Sequence, residues 1–153
     1  MQSTRSTRRL CRPVDGRPVA PVRIVHLGLG NFFRAHAAWY TDRAPDAAEW
    51  GIAAFTGRSP AVALSLAAQD GLYTLLVRAP EGPRTEVVSS LSAVHTADDL
   101  VALRAYFERP EVGVVTMTVT EAGYRCDATG GLDSSADDVQ ADIAALRADP
   151  LRG

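Results

Sequence analysis

The sequence has 153 residues, 46% of them apolar, and a formal net charge of −2. This length suits one domain with its own core, and the apolar share excludes wholesale disorder. So small a charge gives no reason to expect nucleic acid or an anionic membrane surface as a partner. All 16 basic residues are arginine, so no lysine of this chain can act as a catalytic base or form a Schiff base.

Cysteine and histidine are sparse. Cys11 and Cys126 are far apart, which argues against a structural disulfide and fits a reducing cytoplasm. His26, His36 and His95 show no i, i+4 pairing and no HExxH context, so we expect no metal site. No segment approaches the roughly 18 apolar residues that a membrane-spanning helix needs. We therefore expect a cytoplasmic protein without a membrane partner.

The first 21 residues differ in composition from the rest. They contain Arg, Ser, Pro and Gly but no apolar run of signal-peptide length. A mitochondrial-type targeting segment is one interpretation, and a flexible leader is the simpler one. The sequence therefore predicts a flexible leader over residues 1–21 and one domain over residues 22–153.

The stretch from Val22 to Tyr40 organises the rest of the chain. It begins with the apolar, β-branched pattern of a buried parallel strand, which Gly28 and Gly30 interrupt. From Phe32 onward the apolar residues recur at helical spacing, and we expect the helix to run from Asn31 to about Arg43. A strand, a glycine turn and a helix can present backbone N–H groups and a helix dipole to a phosphate.

Strands and helices alternate along the remaining chain. The patterns predict a strand over 50–56, a helix over 60–69, a hairpin-like pair of strands over 72–78 and 85–94, a helix over 98–109 with Leu100, Leu103 and Phe107 facing inward, a strand over 112–119, a loop over 126–135 and a helix over 136–148. This alternation predicts an α/β domain, a mainly parallel sheet with flanking helices and a small hairpin-like excursion.

The glycine turn matches a dinucleotide fingerprint only in part. In G-x-G-x-x-G, Gly28 and Gly30 occupy the first two glycine positions and Phe33 the third. No acidic residue follows the second strand, where Arg58 and Ser59 stand instead and could hold a 2′-phosphate. The turn alone is also compatible with a tight connection that needs glycine only for its backbone geometry and packing. Arg58 is equally compatible with a solvated loop charge.

Four ordered motifs carry a resemblance to a known family. The chain resembles the N-terminal part of the mannitol dehydrogenase family in four stretches, which are HLGLGNFFRAH followed by WYTD, then WGI, AAQDGLYT and TVTEAGY. The resemblance covers about Val22 to Tyr124. These polyol-specific long-chain dehydrogenases include fructuronate and tagaturonate reductases and arabinitol dehydrogenases. The family usually has His after the first motif Phe, where this chain has Phe33, so any role of that His is lost here.

The resemblance implies a Rossmann-type domain that binds NAD, with NADP as an alternative, and places the pyrophosphate over the glycine turn. It implies that the segment from Thr118 to Tyr124 lines the nicotinamide end of the cleft. The candidate cofactor-binding residues are Gly28, Gly30, Asn31, Phe32, Arg34, Arg58, Thr118, Thr120 and Glu121. By contrast, we expect His26 to be a hydrogen-bonded core residue, His36 a packed or capping residue, and Trp39 and Tyr40 core or interface residues.

The resemblance also implies the chemistry, a metal-independent hydride transfer between nicotinamide and a polyol or ketose. In the family a lysine is the general acid/base, assisted by Asn and His in a C-terminal helical domain. We expect this chain to lack that catalytic domain and not to turn over substrate alone. The alternative is a non-catalytic remnant that acts only in association, including self-association through an uncovered domain face.

Overall fold

The computed structural model describes residues 8–57 and 59–149. The chain divides into two compact units, Met1–Thr118 and Val119–Gly153. Among the described residues the strands are β1 Val22–Leu27, β2 Gly51–Phe55, β3 Tyr73–Ala79, β4 Gly82–Val88, β5 Leu91–His95 and β6 Val114–Met117. The α-helices are α1 Arg12–Asp15, α2 Asn31–Ala35, α3 Ala37–Arg43, α4 Ala61–Ala67, α5 Leu100–Phe107 and α6 Asp137–Ala148, and 3-10 helices cover Ala47–Glu49 and Glu121–Tyr124. No helix in these ranges has the length and apolarity needed to cross a membrane.

The first unit is built on a parallel sheet with the strand order β5-β2-β1-β6. β1 pairs in parallel with β2 on one side and with β6 on the other, and β2 pairs in parallel with β5. When the four strands of this sheet are numbered 1 to 4 in chain order, their spatial order is 3-2-1-4, which is that of the Rossmann fold. The predicted α/β class with a mainly parallel sheet is therefore confirmed.

The core lies on both faces of this sheet. Side chains alternate along β2, so Ile52 and Ala54 join one buried cluster while Ala53 and Phe55 join the other. Phe33 and Leu66 cover the first face, and Tyr106 covers the second. Burial on both faces explains why β2 has no polar side chain at all, since every residue of it is buried.

The helix predicted from Asn31 to about Arg43 is interrupted. It ends at Ala35 and restarts at Ala37, because His36 leaves helical geometry with φ −123° and ψ −87°. The His36 ring is bound at the break, where its Nδ1 lies 2.8 Å from the Phe32 carbonyl oxygen. The predicted capping role of His36 is thus confirmed, whereas the single continuous helix is wrong.

The predicted hairpin is present with a different second strand. β3 and β4 pair antiparallel from Tyr73↔Val88 to Ala79↔Gly82. The apolar run predicted as one strand over 85–94 is divided at Ser89 and Ser90, and its second half is β5 of the parallel sheet. Ser90 donates a hydrogen bond to the Ala38 carbonyl oxygen at 2.7 Å, which holds the chain where it passes from hairpin to sheet.

The inward face of α5 differs from the prediction. Leu100 and Phe107 are exposed, and Tyr106 is buried instead, with Leu103 packed beside it. The helix is oriented by its first turn, because the Asp99 side chain accepts a hydrogen bond from the Ala102 N–H and also binds His95 on β5.

An arginine ahead of β1 is buried in the first unit. The guanidinium of Arg12 donates five hydrogen bonds, all to backbone carbonyl oxygens, namely those of Arg17, Pro18, Asp70, Ser89 and Leu91. These bonds use all five N–H groups that a guanidinium carries. Arg12 lies within residues 1–21, which the sequence predicts as a flexible leader, and its hydrogen bonds attach this part of the segment to the first unit. Residues 1–7 lie outside the described residues.

The second unit contains the predicted loop and helix. Its loop has one isolated bridge, between Cys126 and Leu132, and side-chain turns at Asp127 and Asp133. α6 follows from Asp137 to Ala148, in agreement with the predicted helix over 136–148.

Candidate functional site

The glycine turn lies at the point where the sheet order reverses. β1 occupies the middle of the sheet, and the chain moves from it to β2 on one side and later to β6 on the other. Gly28 follows the carboxyl end of β1, and Thr118 follows the carboxyl end of β6. In open α/β sheets the helices leave a crevice at this reversal, so it is where ligands bind.

Gly28 is required by the packing of the turn. Its φ is +105°, and an added Cβ would lie 2.8 Å from Thr118 Oγ1. Its N–H and that of Leu29 donate to the Phe55 carbonyl oxygen at 3.0 and 2.9 Å, which attaches the turn to the end of β2. The fold itself therefore requires glycine at position 28.

Gly30 is required by neither packing nor backbone geometry. It has φ −87° and ψ 177°, an extended conformation that any residue adopts, and an added Cβ would come no closer than 3.7 Å to another group, the Gly28 carbonyl oxygen. It is exposed and precedes the first turn of α2, where no side chain caps the free N–H groups. The surface above Gly30 is thus open to close approach by an anion such as a phosphate.

Arg34 places a positive charge beside this open surface. Its guanidinium turns back from α2 and donates to the Leu29 carbonyl oxygen at 2.9 Å and to Asn31 Oδ1. Two of its nitrogens are thereby fixed next to the turn. The combination of a cation and uncapped helix N–H groups suits a bound diphosphate.

A buried histidine supports the turn from below. His26 on β1 is buried and lies between Thr116 and Thr118, with its Nδ1 2.8 Å from Thr116 Oγ1 and its Nε2 3.0 Å from Thr118 Oγ1. Burial lowers the pKa of His26 below its ordinary value. The expectation of a hydrogen-bonded core histidine is confirmed.

A second polar cluster lies at the same edge of the sheet, at the carboxyl end of β5. His95 Nδ1 is 2.8 Å from Asp99 Oδ2, and its Nε2 is 3.2 Å from the Tyr106 hydroxyl. The His95 ring also stacks on Phe55, with 4.7 Å between ring centroids. These contacts connect β2, β5 and α5, so they serve the packing of this edge.

The structure brings part of the predicted site together. Gly28, Gly30, Asn31, Arg34 and Thr118 surround the turn at the end of β1. Phe32 is exposed on α2 and stacks on His36, with ring centroids 4.3 Å apart. Arg58 lies outside the described residues. Thr120 and Glu121 are exposed and belong to the second unit, where Glu121 begins a 3-10 helix.

The aromatic pair after the turn is divided between two environments. Trp39 packs against the core and its indole N–H donates to Glu86 at 2.9 Å. Tyr40 is 64% exposed, so it is not a core residue. Its helix presents it outward because successive residues of a helix point in different directions.

The cross-strand contact of His26 with Thr116 was not predicted from the sequence. The two residues are 90 positions apart and meet only because β1 and β6 are neighbours in register. The sequence does contain a sign of this contact. A histidine in a buried strand needs polar partners, and Thr116 and Thr118 are the polar residues of an otherwise apolar strand segment.

Comparison with known proteins gives the family. A family model described as the mannitol dehydrogenase Rossmann domain matches residues 22–149. The chain belongs to the mannitol dehydrogenase family. It is 35% identical over 144 residues to a mannitol 2-dehydrogenase of Cereibacter sphaeroides, a match that covers 90% of this chain and 30% of that protein.

Two solved structures share the fold. A substrate-free D-sorbitol dehydrogenase matches with a TM-score of 0.70 and 32% identity over 92% of this chain and 33% of that one. The mannitol 2-dehydrogenase of Pseudomonas fluorescens, in a ternary complex with NAD and D-mannitol, matches with a TM-score of 0.68 and 32% identity over 82% of this chain and 27% of that one. The chain thus spans about a third of the length of the relatives it matches.

Proposed function

We propose that this chain is the cofactor-binding part of a polyol oxidoreductase, with NAD(H) or NADP(H) as its ligand. The observation that carries the proposal is the open backbone at Gly30, a glycine with no structural reason of its own, at the reversal point of a Rossmann sheet. The pyrophosphate lies over the turn and the start of α2 in this proposal. Arg34 and Asn31 flank it, and Thr118 marks the nicotinamide side.

The remaining candidate residues complete the proposed site. Phe32 contributes an exposed aromatic ring at the start of α2. Arg58 comes three residues after β2 in the sequence, and we propose that its guanidinium pairs with the 2′-phosphate when the cofactor is NADP. Thr120 and Glu121 follow Thr118 in the chain and would line the nicotinamide end.

The proposed reaction is hydride transfer between the nicotinamide and a polyol, a ketose or a hexuronate. The nicotinamide supplies the hydride chemistry, while the residues described here bind and orient it. The proton transfer requires an acid/base that this chain does not supply as lysine, since it has none. We therefore assign the acid/base to the rest of a longer, cytoplasmic enzyme, and expect this chain to bind cofactor without turnover.

Titration with NADH and with NADPH, followed by nicotinamide fluorescence, tests the proposal. The expected result is saturable binding of at least one cofactor by a sample whose cooperative thermal unfolding shows that it is folded. A folded sample that binds neither at millimolar concentration would refute it.

The alternative of a non-catalytic remnant that acts only in association receives no support from the comparisons. The relatives reported above are dehydrogenases by name. In the titration, that alternative predicts no response to either cofactor.

A further inference from the structure

His26 is held in one orientation by contacts on every side. Its Nδ1 is 2.8 Å from Thr116 Oγ1, and its Nε2 is 3.0 Å from Thr118 Oγ1 and 3.2 Å from the Gly28 carbonyl oxygen. The Phe33 ring lies flat against the imidazole, with centroids 3.5 Å apart and an interplanar angle of 6°. Strand β6, the residue that follows it, the turn and helix α2 each contribute one of these contacts.

The partners determine which nitrogen carries the proton. The Thr118 hydroxyl donates its one proton to the Gly28 carbonyl oxygen, so Nε2 faces two acceptors and carries a hydrogen that it shares between Thr118 Oγ1 at 3.0 Å and that carbonyl oxygen at 3.2 Å. Nδ1 of the neutral ring is then an acceptor, which the Thr116 hydroxyl satisfies by donating to it. The groups in contact with the imidazole are uncharged, and burial lowers the pKa of His26, so the neutral ring is favoured at pH 7.

The Gly28 carbonyl oxygen accepts hydrogen bonds from three donors. The Gly30 N–H donates to it at 2.6 Å, the Thr118 hydroxyl at 2.9 Å and the imidazole Nε2 at 3.2 Å. Any change in the direction of this carbonyl therefore moves the peptide that leads to Gly30. Gly30 is the residue over which the proposed pyrophosphate lies.

We propose that His26 is a positioning residue for the cofactor, which sets the orientation of the Gly28 carbonyl, and through it the Gly30 backbone, by donating from Nε2. This inference rests on the proposed function, because its consequence is a loss of cofactor affinity. It assigns no contact between His26 and the cofactor itself. Thr116 and Phe33 hold the ring so that the donor points at the turn.

Two conservative variants separate the two ring nitrogens. In H26Q the amide nitrogen takes the place of Nε2 and keeps a donor toward Gly28, whereas in H26N the amide takes the place of Nδ1 and keeps only the contact with Thr116. We expect H26N to weaken NADH or NADPH binding by about 5-fold or more, the factor that one lost hydrogen bond of ordinary strength represents. H26Q should stay within about 2-fold of the unsubstituted chain, since it keeps that bond.

Thermal unfolding of both variants serves as the structural readout. A purely structural role predicts that cofactor affinity follows stability, so that variants of equal unfolding temperature bind equally. Equal affinity of H26N and H26Q, or unimpaired binding by H26N, would overturn the proposal.

A measurement without cofactor distinguishes this inference from the proposed function. Nitrogen NMR of the 153-residue chain labelled at histidine should show a neutral ring with its proton on Nε2 at pH 7, assigned to His26 by its loss in H26Q. The Gly30 amide signal should shift strongly in H26N and little in H26Q. A proton on Nδ1, a charged ring, or an unmoved Gly30 signal in H26N would overturn the positioning role even if the cofactor binds. The expected NMR result with no cofactor binding would refute the proposed function alone.

Discussion

The two glycines of the turn are present for different physical reasons. Gly28 has a positive φ and touches Thr118, so an alanine there combines backbone strain with a steric clash. Gly30 has ordinary extended geometry and free space around its Cα. One glycine thus stabilises the fold, and the other leaves room for a ligand.

This difference predicts opposite outcomes for the same substitution. G28A should lower the free energy of unfolding by about 2 kcal/mol or more, because strain and the contact with Thr118 add. G30A should change it by less than about 0.5 kcal/mol, as an exposed substitution does. Denaturant unfolding measures both, and cofactor titration of G30A should show weakened binding at nearly unchanged stability. Each variant is the control for the other, and a G30A chain that binds as tightly as the unsubstituted one would contradict the proposed site.

Arg58 offers a test of cofactor choice at the same scale. A guanidinium pairs with phosphate, and the 2′-phosphate is what distinguishes NADP from NAD. R58A should therefore weaken NADPH binding while leaving NADH binding unchanged, as fluorescence titration of both cofactors will show. Equal effects on the two cofactors, or none, would mean that Arg58 is a solvated loop charge.

At the scale of elements, Arg12 joins three segments that are distant in sequence. Its guanidinium reaches carbonyl oxygens at Pro18, at Asp70 and at Leu91, and Arg12 is only 7% exposed. Removing the donor takes this partner from one buried carbonyl oxygen, that of Leu91, and from four part-buried ones. A buried acceptor without a partner costs more than the bond contributes when made.

R12A should accordingly lower the free energy of unfolding by about 2 to 3 kcal/mol. Denaturant unfolding measures the change, and R9A, which removes an exposed arginine nearby, is the matched control. A result for R12A as small as that for R9A would show that water replaces the lost donors.

Asp99 connects β5 to α5 and gives the stability a pH dependence. Hydrogen bonds from the Ala102 N–H and from His95 lower the pKa of Asp99 below its ordinary value of 3.8. A carboxyl group with a lowered pKa stabilises the fold fully above its ordinary pKa, and this contribution is lost as the pH falls through the lowered value.

D99A should therefore lower the unfolding temperature by a few degrees at neutral pH. Its difference from the unsubstituted chain should shrink as the pH falls below the ordinary pKa of aspartate. Thermal unfolding followed across a pH series measures this, and D98A, at an exposed neighbouring carboxylate, is the control. A difference that is independent of pH would exclude the carboxylate as its cause.

The outcome for individual elements shows which features the sequence can predict. The strands follow from runs of β-branched residues, and the end of α4 follows from Asp70 and Gly71, both of which have positive φ. The break at His36 depends on where one imidazole finds an acceptor, which no periodicity reveals. The prediction for the inward face of α5 is wrong because His95, the last residue of the preceding strand, binds Asp99 and Tyr106 and so selects the face, which the apolar spacing of the helix alone does not show.

At the scale of the whole molecule, β6 stands out among the strands of the sheet. It is the last strand in the sheet order, and its apolar side chains are exposed, with Met117 at 62%. The strand VVTM also carries no charged residue or proline to discourage pairing with another chain. An edge of this kind favours association with a second copy.

V115K should therefore reduce self-association of this chain. Analytical ultracentrifugation over a range of concentrations measures it, and V101K, at an exposed valine of α5, is the control. A chain that is monomeric without substitution, or one in which V101K has the same effect, would exclude this edge as the contact.

Residue spacing alone predicts only the local part of the candidate site, and Thr118 enters the prediction through the resemblance to the family. Gly28, Gly30 and Arg34 lie within a few residues of one another, so the motif itself brings them together. Thr118 joins them because β1 and β6 are adjacent in the sheet, and this adjacency follows from the fold rather than from spacing. Which strands become neighbours in a sheet depends on many weak preferences along the whole chain, and no short motif specifies it.

The hydrogen bonds of Arg12 bear on where the domain physically begins. The match to the family model starts at residue 22, with β1. A chain shortened to start there would keep every strand and the complete turn, yet it would lose the donors to Asp70, Ser89 and Leu91. The residues that the family model matches and the residues that the domain needs for its hydrogen bonds are thus different lengths of chain, and an expression boundary drawn at the start of that match would remove the Arg12 guanidinium from its carbonyl partners.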